Sequence, residues 1–349
     1  MRLRLTCLAL AAMLVACGAA PAASDEAAPT AGTPSTAPSS AAAPDPSSEG
    51  NGDGQPHPDG RIVFGRIASL DPVYGQVVAL WAVDPDGGNL VQLNDGGSAF
   101  PAWSPDGSLI AYTLAMPDGS VQIGTMAPDG SDVQVLTEGP GMRAWPSWAP
   151  DGSWIAYAYS PTLPDDPEWR TVIYRMNADG SDQELLGDPD TFDVEPKVSP
   201  DGASVLFRRD DDDANTSVLV VRDIQTGDER VITAAGTAAD HPGWSPDGQW
   251  IVYNVASWRT GDLADEHVMR VAADGSGDAV SMTDGNVVQV GFKPSYSPDG
   301  ARIVFGCIAL DGQDDALCLM DADGSNHEVL VDEPGVPENH FSWGVAWRR

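Results

Sequence analysis

One turn recurs along the whole chain. Pro-Asp-Gly follows Trp-Ser or a close variant at Trp103 to Gly107, Trp148 to Gly152, Val198 to Gly202, Trp244 to Gly248 and Tyr296 to Gly300. A further copy, Pro58-Asp59-Gly60, lacks the aromatic residue. Successive aspartates are separated by 47, 45, 50, 46 and 52 residues. Each period reads alike: the turn leads into an apolar run, as in Arg61-Ile62-Val63-Phe64 or Trp154-Ile155-Ala156-Tyr157, and then into a loop of variable length. A second run follows, such as Val172 to Met176 or Ala316 to Met320. An Asp/Asn-x-Asp-Gly turn comes next, as at Asp84 to Gly87, Asn177 to Gly180 and Asp321 to Gly324, and a short run such as Val133 to Thr137 ends the unit. Short apolar runs bounded by Gly, Pro and Asp are strands. Pro pre-sets φ, Asp bonds its own backbone and Gly accepts positive φ, which is what tight turns require. The fourth copy departs, with Val198 in the Trp position and Gln225-Thr226-Gly227-Asp228 as its later turn.

A period of roughly 40–50 residues is that of a propeller blade of four strands. Trp-Ser-Pro-Asp-Gly, then Ile-Ala-Tyr, then Met-x-Ala-Asp-Gly resembles the repeat of TolB-like propellers over residues 58–347. The expected fold is all-β, a six-bladed β-propeller over residues 57–349. The chain ends predict how the ring closes. Trp343 to Trp347 aligns with Ala144 to Trp148, an inner strand, whereas Pro58-Asp59-Gly60 has no inner strand before it. The N- and C-terminal strands therefore share the closing blade, which hides two sheet edges.

Arg2 and Arg4 precede an apolar run, Leu5 to Ala16. That is shorter than the ~20 residues of a spanning helix and has the form of a signal-peptide core. Leu14-Val15-Ala16-Cys17 resembles the bacterial lipobox. The resemblance implies that residues 1–16 are a lipoprotein signal peptide, that Cys17 is lipidated, and that the protein is held to a membrane in the extracytoplasmic cell envelope. Residues 18–56 hold no Ile, Leu, Val or aromatic residue. Such a segment buries too little surface to offset its ordering entropy, so 17–56 reads as the lipidated Cys and a disordered tether. The chain carries 52 acidic against 18 basic residues, a formal net charge of -34. That field repels phosphate backbones, so no nucleic-acid partner is expected, and it favours basic partners, cations or simple solubility.

Nucleophilic catalysis finds no Gly-x-Ser-x-Gly elbow here, and the five histidines form no His-x-x-x-His pair. Propellers resembling this one also occur fused to prolyl-peptidase domains, but no such domain is expected beyond the closing strand. Asp321 to Asn326 offers oxygens at alternating positions without the later Glu of a calcium loop. Turn Asp and Asn also bond their own backbone, so no cofactor or metal is expected, with calcium as the second reading. Asp210 to Asp213 is a cation candidate or a solvated loop. Cys307 and Cys318 flank one hairpin. Extracytoplasmic thiols oxidise, and these two bridge if they are directly opposed; otherwise they are two small buried residues.

The loops between second and third strands vary, as at Ser160 to Arg170 and Ser257 to Glu266, and the inner strands enter from their face. Three residues before each aligned Trp position stand Phe100, Trp145, Glu195, His241, Lys293 and Gly344. A mixed ring of this kind reads as a binding funnel, with His340 beside it; a solvent funnel of arbitrary residues is the alternative. The resemblance to TolB-like propellers implies a non-catalytic module for an envelope protein or peptide ligand. The rival is a metal-dependent sugar lyase with His241 and His340 as ligands.

Overall fold

The computed structural model describes residues 60–71, 75–211, 216–255, 267–283, 288–309, 315–332 and 341–348. Cys17, His340, Asp212 and Asp213 lie outside them. Within them the elements are strands, which form up-and-down antiparallel sheets arranged as a propeller.

Four sheets have four strands each. The first takes its inner strand, Phe341–Trp347, from the C-terminus and continues with Ile62–Asp71, Gly75–Val83 and Val91–Gln92. The others begin on Asp193–Val198, Ala239–Trp244 and Val288–Tyr296. The remaining strands form a single sheet of eight, which corrects the expectation of six separate sheets. It consists of two meanders, from Ser98–Trp103 to Gln134–Val135 and from Met142–Trp148 to Glu184–Leu185, joined by the parallel pair Val121↔Met142. At the junction Val121 N donates to Gly141 O at 3.0 Å. Gly141 has φ +84, and a Cβ there would stand 2.2 Å from the Ser160 carbonyl oxygen of its own meander, so glycine is needed for the turn into Met142–Trp148. Numbering the meanders from the N-terminus gives units one to six.

Inner and second strands are buried almost throughout because each unit packs both faces on its neighbours. Ile110, Ala111, Ile155, Ala156, Ile251 and Val252 have no exposed surface. The outermost strands are short, and Val91, Val135, Leu185, Val231 and Val280 on them are exposed. Short edge strands limit edge pairing between molecules.

The repeated residues build the seams. Trp148 Nε1 donates to Ala102 O at 3.2 Å and Trp244 Nε1 to Lys197 O at 3.0 Å, each reaching back to the inner strand of the unit before. Val198 has no indole; there Val198 N donates to Ser147 Oγ at 3.0 Å across the same kind of seam. The Pro-Asp-Gly turns lock themselves: Ser104 Oγ donates to Asp106 Oδ1 at 2.7 Å and accepts from Leu109 N at 2.9 Å. Ser199, Ser245 and Ser297 repeat the contact to their own aspartates. The turn glycines have φ of +67 to +73, and a Cβ at Gly202 would meet the Pro150 ring at 3.2 Å, so adjacent turns stack around the face.

Ile62 pairs with Trp347, Val63 with Ala346 and Phe64 with Val345. The strand Phe341–Trp347 also contacts the inner strands of units two and six, which closes the ring. Trp347 is buried with Phe64, Val304 and Leu319. Cys307 and Cys318 form a disulfide with Cα atoms 6.0 Å apart. They are not directly opposed as the sequence argument required: Cys307 faces Ala316 and Cys318 faces Phe305, so the bridge runs diagonally.

Candidate functional site

The six ring residues come together at the axis, each at an irregularity in its inner strand. Phe100, Trp145, Glu195, His241 and Lys293 have φ of 52, 57, 58, 48 and 53, and Gly344 has 84. Pairing shifts register at these positions in units two to six. A left-handed conformation is unfavourable for residues with a Cβ, yet here it recurs around the ring. The register shift frees an N–H at a bulge, and in three units a side chain of the preceding unit accepts it. Trp145 N donates to Thr113 Oγ1 at 3.0 Å, His241 N to Glu195 Oε2 at 2.9 Å and Lys293 N to Asn254 Oδ1 at 3.2 Å. Proline follows Phe100, Trp145, Glu195, His241 and Lys293. That was the available sign of a non-helical, interrupted strand.

The ring is filled by its own side chains. Phe100 and Trp145 are both 8% exposed, with ring centroids 5.5 Å apart. Phe100 also stacks on His241, three units away, with centroids 6.5 Å apart. Gly344 leaves room for this: a Cβ there would stand 2.7 Å from the Phe100 Cα. The aromatic rings meet across a narrow axis and bury one another. Lys293 and His241 are half-buried.

A charged cluster sits beside them. His241 Nε2 lies 3.3 Å from Glu195 Oε1, and His241 Nδ1 lies 3.3 Å from Asp240 Oδ2. Sequence reasoning missed Asp240 and Arg208. The Arg208 guanidinium pairs with Asp240, with Asp210 at 3.0 Å and with Glu195 at 3.8 Å. Burial, with repulsion from Asp240, pushes the Glu195 carboxyl above its ordinary range despite His241 and Arg208. Burial acts the same way on Asp240, but the adjacent Arg208 and His241 overcome it and hold that carboxyl well below its usual range. Arg208 is held firmly charged: the three carboxylates outweigh its desolvation. Glu195, Asp240 and His241 offer donor atoms within 4.8 Å of one another, a set of suitable type for a divalent ion. Arg208 already supplies the positive charge between the two carboxylates. The turn carboxylates near the calcium candidate are engaged locally, as where Ser325 N and Oγ donate to Asp323 Oδ1 at 2.9 and 2.6 Å.

Past the ring, toward the Pro-Asp-Gly turns, the axis opens into a cavity of about 180 Å³. Trp103, Trp148, Trp244 and Trp347 contribute to its walls, as do Pro146 and Pro294. Lys197 also lines it. The open end of the axis is thus on the face of the Pro-Asp-Gly turns.

These features define an all-β propeller with a closed ring of bulged inner strands and one axial cavity among the described residues. Residues 77–290 match the TolB beta propeller domain family, PD40, and the chain belongs to it. An uncharacterized protein of Agrobacterium fabrum is 30% identical over 243 residues, 66% of this chain and 75% of that protein. An uncharacterized peptidase of Bacillus subtilis, YuxL, is 24% identical over 180 residues, 49% of this chain and 23% of the peptidase. Among solved structures, TolB from Acinetobacter baumannii superposes with a TM-score of 0.63 at 21% identity, over 82% of this chain and 66% of that one. An oligogalacturonate lyase in complex with manganese superposes with a TM-score of 0.52 at 14% identity, over 79% of this chain and 75% of that one. At these identities the structural likenesses establish the fold alone.

Proposed function

We propose that the protein is a non-catalytic binding module of the cell envelope, held to its membrane by a lipid on Cys17, whose axial cavity receives a segment of a protein or peptide partner. The observation that carries the reading is the cavity itself. Its walls are indole and proline, which offer apolar area with little conformational freedom to lose. Pro101, Pro146, Pro242 and Pro294, each directly after a ring residue, line the cavity on the side of the ring. On this reading the eight-stranded sheet counts as two blades, and the ring has six. The lipobox resemblance and membership of the TolB propeller family support the extracytoplasmic setting.

The test is to block the cavity without disturbing the ring. A bulky side chain at a small wall position, Ser295→Trp, is expected to abolish retention of envelope proteins or peptides by the immobilised protein while melting near the parent. Undiminished capture by a folded Ser295→Trp protein would overturn the reading. A second reading, a metal-dependent sugar lyase, draws on the Glu195, Asp240 and His241 cluster. It requires stoichiometric metal in the purified protein, lost on His241→Ala; the guanidinium of Arg208 between the carboxylates weighs against it.

A further inference from the structure

We propose that Lys197 makes the axial cavity a receptor for a single carboxylate, carried on a slender uncharged stem with basic residues behind it and entering from the Pro-Asp-Gly face. The inference rests on the cavity being a binding site and names the chemistry it selects.

Lys197 departs from every equivalent residue. Immediately before the aligned Trp position the other inner strands carry Ala102, Ser147, Gly243, Ser295 and Ala346. All of these line the cavity with Lys197, and Lys197 is the charged residue among the lining side chains. Small residues around the ring leave the space that one long side chain enters. A surface lysine keeps its ammonium in water, whereas Lys197 is half-buried in a cavity walled by indole and proline. Among the described residues its ammonium makes no salt bridge. The carboxylate acting on it is Glu195, which Arg208 and His241 N already engage. Burial lowers the Lys197 pKa and Glu195 restores part of the loss. A carboxylate brought into the cavity supplies the missing counter-charge and forms charge-assisted hydrogen bonds in a poorly solvated place.

Size and charge narrow the ligand. A cavity of about 180 Å³ is close to the ~150 Å³ engineered void that holds one benzene. It therefore takes one side chain or a chain end and excludes a folded element. Pro105 and Pro150 line the cavity and lead directly into Asp106 and Asp151, and Asp201, Asp247 and Asp299 occupy the same place on the other turns. That acidic rim repels polyanions such as nucleotides and favours positive charge immediately behind the carboxylate.

Calorimetric titration of the full chain with the tripeptide Lys-Lys-Phe, as free acid and as C-terminal amide, tests the assignment, with benzoate and benzamide as the small-molecule pair. The acid is expected to bind roughly 10- to 100-fold more tightly than its amide. Lys197→Met should reduce the acid to the affinity of the amide while melting no lower than the parent. Tighter binding of the tripeptide than of benzoate assigns the site to a chain end; equal binding assigns it to small carboxylates. Equal affinity of acid and amide for the parent, or no binding of either acid, overturns the proposal. The acid-to-amide comparison uses the parent protein and so does not depend on the variant folding. Failure here leaves the wider reading to be decided by the Ser295→Trp capture experiment.

Discussion

The inner strands of units three and four run side by side and solve the same packing problem differently. Asp193–Val198 in unit four carries a carboxylate in the ring, a lysine in the cavity and a valine where its neighbours have tryptophan. Met142–Trp148 in unit three carries Trp145, Ser147 and Trp148 at those places. Trp148 ties its unit to the one before through an indole N–H. Val198 cannot, and its backbone N–H uses the Ser147 hydroxyl instead. The lesson is that the repeat tolerates loss of its most conspicuous residue provided the seam retains one hydrogen bond. The strand released from the structural pattern is also the one that brings charge to the axis.

The largest effect that sharpens this contrast is expected at Arg208, the counter-charge that unit four needs and unit three does not. Arg208→Met leaves Glu195 and Asp240 buried without their guanidinium. It should destabilise by about 3–5 kcal/mol, the range for breaking a buried ion pair from one side. Urea unfolding measures it, and a loss under 1 kcal/mol would mean the cluster is solvated. Removing the disulfide of unit six by Cys307→Ala with Cys318→Ala serves as an outside reference, expected at about 2–3 kcal/mol for so short a loop. At the seam itself, Ser147→Ala strands the buried Val198 N–H and should cost about 1–3 kcal/mol. Trp148→Phe keeps an aromatic ring, removes the bond to Ala102 O and should cost about 1 kcal/mol. If the two changes cost the same at all temperatures, the seams are energetically equivalent. If Ser147→Ala is neutral, the hydroxyl is no substitute for an indole.

Acid separates the axis from the turns by sign. The Asp106 carboxyl is held down to about 2, first by the Ser104 hydroxyl and then by Ser108. Asp201, Asp247 and Asp299 are lowered in the same way. A depressed carboxylate stabilises the fold fully above its ordinary 3.8 and ceases to do so as pH falls toward 2. Glu195, raised by burial, has the opposite sense and favours the folded chain as pH falls through its folded value. Melting temperature should therefore drop between pH 4 and 2; Glu195→Gln should leave that drop unchanged and instead remove the gain in stability that Glu195 gives as pH falls toward 4.5. A melting temperature that is flat over this window would show that the turn hydrogen bonds contribute nothing to folding.

Much of the architecture was legible because turn chemistry repeats. Pro-Asp-Gly recurs at the same place in each unit because the stacked turns need it, and the ring positions follow by counting three residues back from Trp103, Trp148 and Trp244. The interior of the ring was not legible. Whether Phe100 and Trp145 line an opening or fill it depends on the axis diameter, a property of all the units together that no single repeat encodes. Arg208 sits on a second strand, at the start of a charged run, Arg208 to Asp213, that reads as solvated. Its partner Asp240 adjoins His241 in sequence but owes its importance to unit four. Lys197 could have been found: set against Ala102, Ser147, Gly243, Ser295 and Ala346, it is the outlier, but the eye follows the aligned tryptophans one residue later. The merged sheet rests on one parallel pair, Val121 with Met142, which composition does not reveal.

The pairing of Ile62–Asp71 with Phe341–Trp347 also governs the order of events during biosynthesis. The earliest strand described here waits for the latest before its inner edge is covered. Contacts of such long sequence separation form slowly. Until they form, a partly made chain exposes an unpaired edge at Ile62–Asp71 and another on the growing side, the state in which propellers are vulnerable to misassembly. Ring closure accordingly waits for the last strand: units two to six can assemble as they emerge, and the first unit becomes a sheet of four only when Phe341–Trp347 arrives.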